Sequence, residues 1–136
     1  MILVDSGFLL ALAQPTDELH TRAVDWVQHL SEPMLVTEYV LWETVNSLSR
    51  RADRPRVHRI VEMISDDANY AFVHASPELL AAGLRLHHDR PDKDWSLTDC
   101  VSFHLMQERG ITRALAYDIH FEQAGIEALL RRDPPA

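Results

Sequence analysis

Short, wholly apolar runs, each cut off by turn or cap chemistry and followed by a longer segment of helical spacing, constrain this chain most. Ile2-Leu3-Val4 stops at Asp5, Met34-Leu35-Val36 at Thr37, Tyr70-Ala71-Phe72-Val73 at His74, and Ala114-Leu115-Ala116-Tyr117 at Asp118. A strand that is apolar at every position, rather than at alternate ones, is buried on both faces. Between these runs lie helical patterns. Residues 17–30 space Leu19, Ala23, Trp26, Val27 and Leu30 along one face, with Thr16 or Asp17 as cap. Thr37 caps a helix expected over Glu38–Ala52, and Pro55 opens another over Val57–Ser65. Ser76-Pro77-Glu78 reads as cap, first-turn proline and first-turn acid for a helix reaching about His88, and Leu97–Glu108 is closed by Gly110. Residues 126–130 offer a fifth strand. Strands alternating with helices predict a parallel sheet covered on both faces, an α/β/α sandwich, and 136 residues make one domain over 1–136.

In such a sheet, ligands gather outside the carboxyl ends of the strands. Asp5 and Asp118 each end a strand, so both carboxylates are expected on one rim. Two further acids sit in otherwise apolar helices: Glu43 in VLWETVNSL, with Asn46 beside it, and Asp99 in WSLTDCVSFHLM. Each has an ordinary alternative. Asp5 could cap the next helix, Asp99 could favour the positive end of its own, Glu43 could be solvated, and Asp118 could cap the HFEQAG turn. Together they suggest a different use. Four converging carboxylates repel one another and would take up protons or bind a hard divalent cation, magnesium or manganese.

Other chemistry is disfavoured. The eight histidines include no i, i+4 pair, and the single Cys100 allows neither an internal disulfide nor zinc spacing, so it reads as core packing. No glycine begins a phosphate-binding loop, strand three ends without the acid a phosphoacceptor domain needs, and VDSGF lacks the second aspartate of a haloacid-dehalogenase-type phosphatase. His120, two residues after Asp118, could touch a substrate but reads more readily as a surface or loop residue. The three tryptophans read as packing or interface residues, and RRDPPA as a disordered tail. No signal peptide or membrane-spanning run is evident, and the expected setting is the cytoplasm. Net charge is −8, yet residues 50–59 carry five arginines against one aspartate. That segment is either a solvated helix junction or an edge for a nucleic-acid backbone, with Arg50, Arg51 and Arg54 as the candidate contacts.

The blocks VDSGFLLAL, VLWETVNSL, DKDWSLTDCVSF and ALAYDIHFEQAGIEAL occur in an order that resembles the PIN domain, in particular the VapC-like toxin ribonucleases of type II toxin–antitoxin modules. The resemblance implies magnesium-dependent cleavage of RNA, with manganese a substitute ion, by an acidic quartet of Asp5, Glu43, Asp99 and Asp118. It also implies a hydroxyl at Ser6 beside the first aspartate and a supporting role for Asp94. As partners it implies RNA, a small antitoxin protein and a second copy of the chain, with Trp42, Leu9, Leu10 and Leu12 as the expected apolar docking surface. The alternatives within this resemblance are an RNA-processing nuclease without an antitoxin and a catalytically inert binding module.

Overall fold

A computed structural model describes all of residues 1–136. Five strands form one sheet: β1 (Ile2–Val4), β2 (Met34–Thr37), β3 (Tyr70–Val73), β4 (Arg113–Leu115) and β5 (Glu127–Ala128). Their order across the sheet is β3-β2-β1-β4-β5, and every pairing is parallel. Seven helices connect them: α1 (Ser6–Ala13), α2 (His20–His29), α3 (Glu38–Ser47), α4 (Arg54–Asp66), α5 (Pro77–Asp89), α6 (Leu97–Arg109) and α7 (Ile119–Gln123).

Side-chain alternation along the strands builds two cores. Ile2, Val4, Met34, Val36 and Leu115 point to one face, where they pack with Phe8, Leu9, Ala23, Trp26, Val40, Val57 and Ile60 of α1 to α4. Leu3, Leu35, Ala114 and Ala116 point to the other, against Cys100, Phe103, Leu105 and Met106 of α6 and Phe121 of α7. Successive strand residues therefore enter opposite cores, which is why the runs had to be apolar throughout. Each fully buried Leu or Phe contributes about 1.5–3 kcal/mol of transfer free energy.

Several boundaries differ from those expected. α3 ends at Ser47, not Ala52. Thr44, Ser47 and Ser49 each turn their hydroxyl back onto the carbonyl four residues earlier, a local alternative that weakens helix continuation. α2 begins at His20 instead of residue 17, because the Asp17 carboxylate takes the Leu19 N–H at 2.8 Å and holds a turn there. β4 stops at Leu115, and β5 is two residues long before a 3-10 turn at Leu129–Arg131. Leu9 is fully buried and so is no docking residue.

The first half of the RRDPPA segment, through Asp133, is fastened rather than loose. Leu130 N–H donates to Ala116 O at 3.1 Å, Trp26 Nε1–H to Arg132 O at 2.8 Å, and Arg22 both to Leu130 O at 3.0 Å and to the Asp133 carboxylate at 2.9 Å. The Trp26 and Arg22 side chains reach it from more than a hundred residues away, which local composition does not reveal.

α5 lies close on α6 at Gly83, where an added Cβ would meet Val101 Cγ2 at 2.5 Å. Gly83→Ala should therefore destabilise the protein by roughly 1–3 kcal/mol, the usual cost of overpacking, although alanine favours a helix over glycine by about 1 kcal/mol. Thermal melts of parent and variant check this, and a raised melting temperature would show that the two helices can part at no cost.

Candidate active site

The chain leaves β1 at Asp5, whose backbone N–H still bonds Leu115 O of β4 at 3.1 Å. β1 and β4 are neighbours, but the connections from them run to opposite edges of the sheet, so Asp5 and Asp118 flank the switch point of the topology. The two layers supply the rest. Glu43 comes from α3 on one face and Asp99 from the first turn of α6 on the other. All four acids line a single cleft of about 700 Å³, together with Ser6, Asp17, His120 and Arg131.

Each carboxylate except Asp5 is held by a local device. The Ser6 hydroxyl donates to Glu43 Oε1 and ties the start of α1 to α3. Ser96 and Asp99 form a reciprocal capping box: Asp99 N–H donates to Ser96 Oγ at 3.0 Å, and Ser96 N–H donates to Asp99 Oδ2 at 3.1 Å. Asp118 Oδ1 accepts the His120 N–H at 3.0 Å and so starts α7. The cap expected of Asp118 is thus real, Asp99 takes part in a capping box at the positive end of its helix, and both roles coexist with placement in the cleft. Asp5 precedes α1 without a side-chain cap bond.

Asp5 bears the electrostatic cost. It is only 8% exposed. Burial, then the charge of Asp99, and more weakly those of Glu43 and Asp118, push its carboxyl up to about 7 against the lowering effect of the Ser6 N–H. The four acids therefore feel one another. As they stand, no three acidic, histidine or cysteine side chains are gathered into a ready-made metal shell. Glu43, Asp99 and Asp118 are each engaged by protein groups, Ser6, Ser96 and His120. The donor set still suits a hard cation: carboxylate oxygens, those of Asp5 and Asp99 buried and that of Asp5 costly to ionise, around a cleft open to solvent.

Other residues fall differently from expectation. Asp94 is exposed and does not line the cleft, because the loop turns Trp95 inward instead. Asn46 is exposed in an adjoining groove with Tyr39 and Trp42, which meets the cleft at Glu43. Arg50, Arg51 and Arg54 are exposed at the turn after α3 and the start of α4, outside the cleft lining. His120 is no free surface residue. Its Nδ1 lies 2.9 Å from Asp99 Oδ2 and 3.3 Å from Asp118 Oδ1. Its position two residues after Asp118 was the available signal. Arg131 was hidden in the supposed tail.

The raised Asp5 value makes stability depend on pH. The folded state holds this proton up to about 7 while the unfolded chain releases it near 3.8, so metal-free stability falls as pH rises through that window. The full loss is on the order of 4 kcal/mol. Asp5→Asn removes the titration. Its melting temperature relative to the parent should rise from pH 4 to pH 8 without metal, and parallel pH curves would refute this.

Comparison with known proteins agrees with this geometry. The PIN domain profile matches residues 2–127. A curated relative, the "23S rRNA-specific endonuclease VapC20" of Mycobacterium tuberculosis, is 31% identical over 126 residues, covering 92% of this chain and 95% of its own. The crystal structure of Mycobacterium tuberculosis VapC20, described as a Sarcin-Ricin loop cleaving toxin, superposes with a TM-score of 0.85 at 25% identity, covering 93% of this chain and 96% of that one. The structure of FitAcB from Neisseria gonorrhoeae shares the fold, with a TM-score of 0.67 at 14% identity over 94% of this chain and 96% of that one. With a parallel five-stranded sheet, helices on both faces and acids at its switch point, this chain belongs to the PIN domain family and is VapC-like.

Proposed function

We propose that the chain is a metal-dependent endoribonuclease that hydrolyses RNA phosphodiester bonds, and that it is the toxin of a type II toxin–antitoxin pair. One observation carries the reading: a buried carboxylate at Asp5 whose proton affinity is raised by burial and by three further acids around the same cleft. A fold that only bound a partner would gain nothing from that cost. The names of the VapC20 relatives support RNA as the substrate class, and a structured ribosomal RNA loop is the first substrate to try.

In this reading Asp5, Asp99 and Asp118 hold Mg2+, with Glu43 completing the set and Mn2+ a substitute. When bound, the cation neutralises charge at the phosphoryl oxygens and lowers the pKa of water. The protein orients the acids. Ser6 fixes Glu43, while Ser96 N–H and His120 fix Oδ2 of Asp99 and leave Oδ1 without a protein donor. Arg50, Arg51 and Arg54 contribute sequence-independent contacts to flanking phosphates.

The partner reading follows from exposed apolar side chains. Trp42 is 67% exposed in the groove that adjoins the cleft, and Leu80 and Leu84 are exposed on α5. We assign such surface to a small antitoxin and to a homodimer. No helix is long and apolar enough to cross a membrane, and the proposed setting is the cytoplasm.

Asp5→Asn, Glu43→Gln, Asp99→Asn and Asp118→Asn should each cut RNA at least 10- to 100-fold more slowly than the parent, the scale seen when metal-binding shells are disturbed. Mg2+ should raise the parent's melting temperature by mass action and raise it less in Asp5→Asn/Asp118→Asn. Assays on an RNA panel with and without Mg2+ test this, and metal-independent cleavage would exclude it. Replacing Arg50, Arg51 and Arg54 with glutamine should flatten the salt dependence of RNA binding by roughly 0.7 for each single-strand phosphate no longer neutralised. Light scattering reads the dimer, and a monomer mass at micromolar concentration would remove it.

A further inference from the structure

The cleft lining contains five acids, Asp5, Asp17, Glu43, Asp99 and Asp118, and a single lysine or arginine, Arg131. RNA is a polyanion, and apart from the cation proposed above that guanidinium is the one permanent positive charge a substrate meets in the cleft lining. Arg131 is not used to neutralise the cleft acids. Its ion pair, from Nε at 3.2 Å, is with Glu122 of α7, which is not part of the lining.

The guanidinium is positioned with care. It lies over the Tyr117 ring, 4.7 Å from the centroid, and Nη1 donates to Tyr117 O at 2.7 Å. Of its five N–H donors, the Glu122 and Tyr117 contacts use two and leave three, including both on Nη2. Those donors form the fork that matches phosphate bidentately. The backbone around it is braced by Leu130 N–H on Ala116 O, by Arg22 on Leu130 O and by Trp26 on Arg132 O. Tyr117 is itself 44% exposed and directly precedes Asp118.

We propose that Arg131, stacked on Tyr117, is a substrate-positioning residue that grips an RNA phosphate beside the one that is cut. The inference rests on the nuclease reading above and adds where the strand is held. The contacts with the Tyr117 ring, Tyr117 O and Glu122 restrain the guanidinium before substrate arrives, so less side-chain freedom remains to be surrendered on binding. The ring beneath the grip lies one residue from Asp118 in the β4–α7 connection, so the grip sets the register of the strand over the acids.

The test is RNA binding by fluorescence anisotropy over a salt series, with cleavage disabled by Asp99→Asn and Mg2+ present. Arg131→Gln should weaken binding about tenfold or more and reduce the salt slope by roughly 0.7. Arg131→Lys should restore the slope but only part of the affinity, because lysine keeps the charge and loses the fork. RNAs carrying one methylphosphonate each locate the contact. One position should weaken binding to the Arg131-containing protein and be silent with Arg131→Gln. In the cleaving protein the loss should fall more on kcat/KM than on kcat, and the thermal shift given by Mg2+ should not shrink. A parent that cuts RNA, with an Arg131→Gln variant of unchanged slope and no silenced position, would overturn the grip alone. A parent that neither binds nor cuts any RNA would overturn the nuclease reading with it.

Discussion

Parallel pairing of β1 with β4 is the constraint on which the rest of the molecule depends. Leu3 and Val4 lie in register with Ala114 and Leu115, and the ladder continues one bond further, from Asp5 N–H to Leu115 O. That register puts Asp5, at the end of β1, and Asp118, three residues past the end of β4, on one rim where the connections diverge to opposite edges. It also fixes the helices. α1 must start immediately after Asp5 and α7 immediately after Asp118, and α3 and α6 descend from opposite faces to bring Glu43 and Asp99 over the same gap.

The arrangement concentrates electrostatic cost in one place and spreads compensation widely. A carboxylate that is 8% exposed among three others opposes folding at neutral pH. Two hydrophobic cores, one on each face of the sheet, oppose that cost through many fully buried side chains. The site is thus a local departure from the rule that buried charge be paired, tolerated because the surrounding sheet is apolar at nearly every position.

Much of this was legible in the chain itself. Wholly apolar runs identified four strands and two of the four carboxylates, because strand period and cap chemistry are local properties. The expected two-sided burial holds for the inner strands but not for β3, which lies at the sheet edge and is only half-buried past Tyr70. What the sequence concealed depends on distant partners. Leu9 and Leu10 look alike in FLLAL, yet Leu9 alone is completely buried, since α3 and α4 pack against that side of α1. RRDPPA has the composition of a frayed end, but Trp26 and Arg22 of α2 hold its first half. Asp94 looked as close to the site as Asp99, five residues on, until the loop proved to turn it outward. Arg131 was overlooked because nothing in its neighbours reveals the ring and carboxylate it meets, and His120, although two residues from Asp118, gave no sign that it would reach Asp99.

Asp99 serves two masters with one oxygen, since Oδ2 accepts both the Ser96 N–H that begins α6 and the His120 ring. A lineage released from the need to cut RNA could discard Glu43 at small structural expense. It could not so easily discard Asp99. Alanine there would leave the Ser96 N–H without its acceptor and halve the capping box of a helix that fills the second core, at a cost of about 1 kcal/mol for one lost hydrogen bond. Descendants that have stopped being enzymes should still carry an acceptor at this position, so its presence in a sequence is weaker testimony to chemistry than the presence of Asp5, which no structural duty protects.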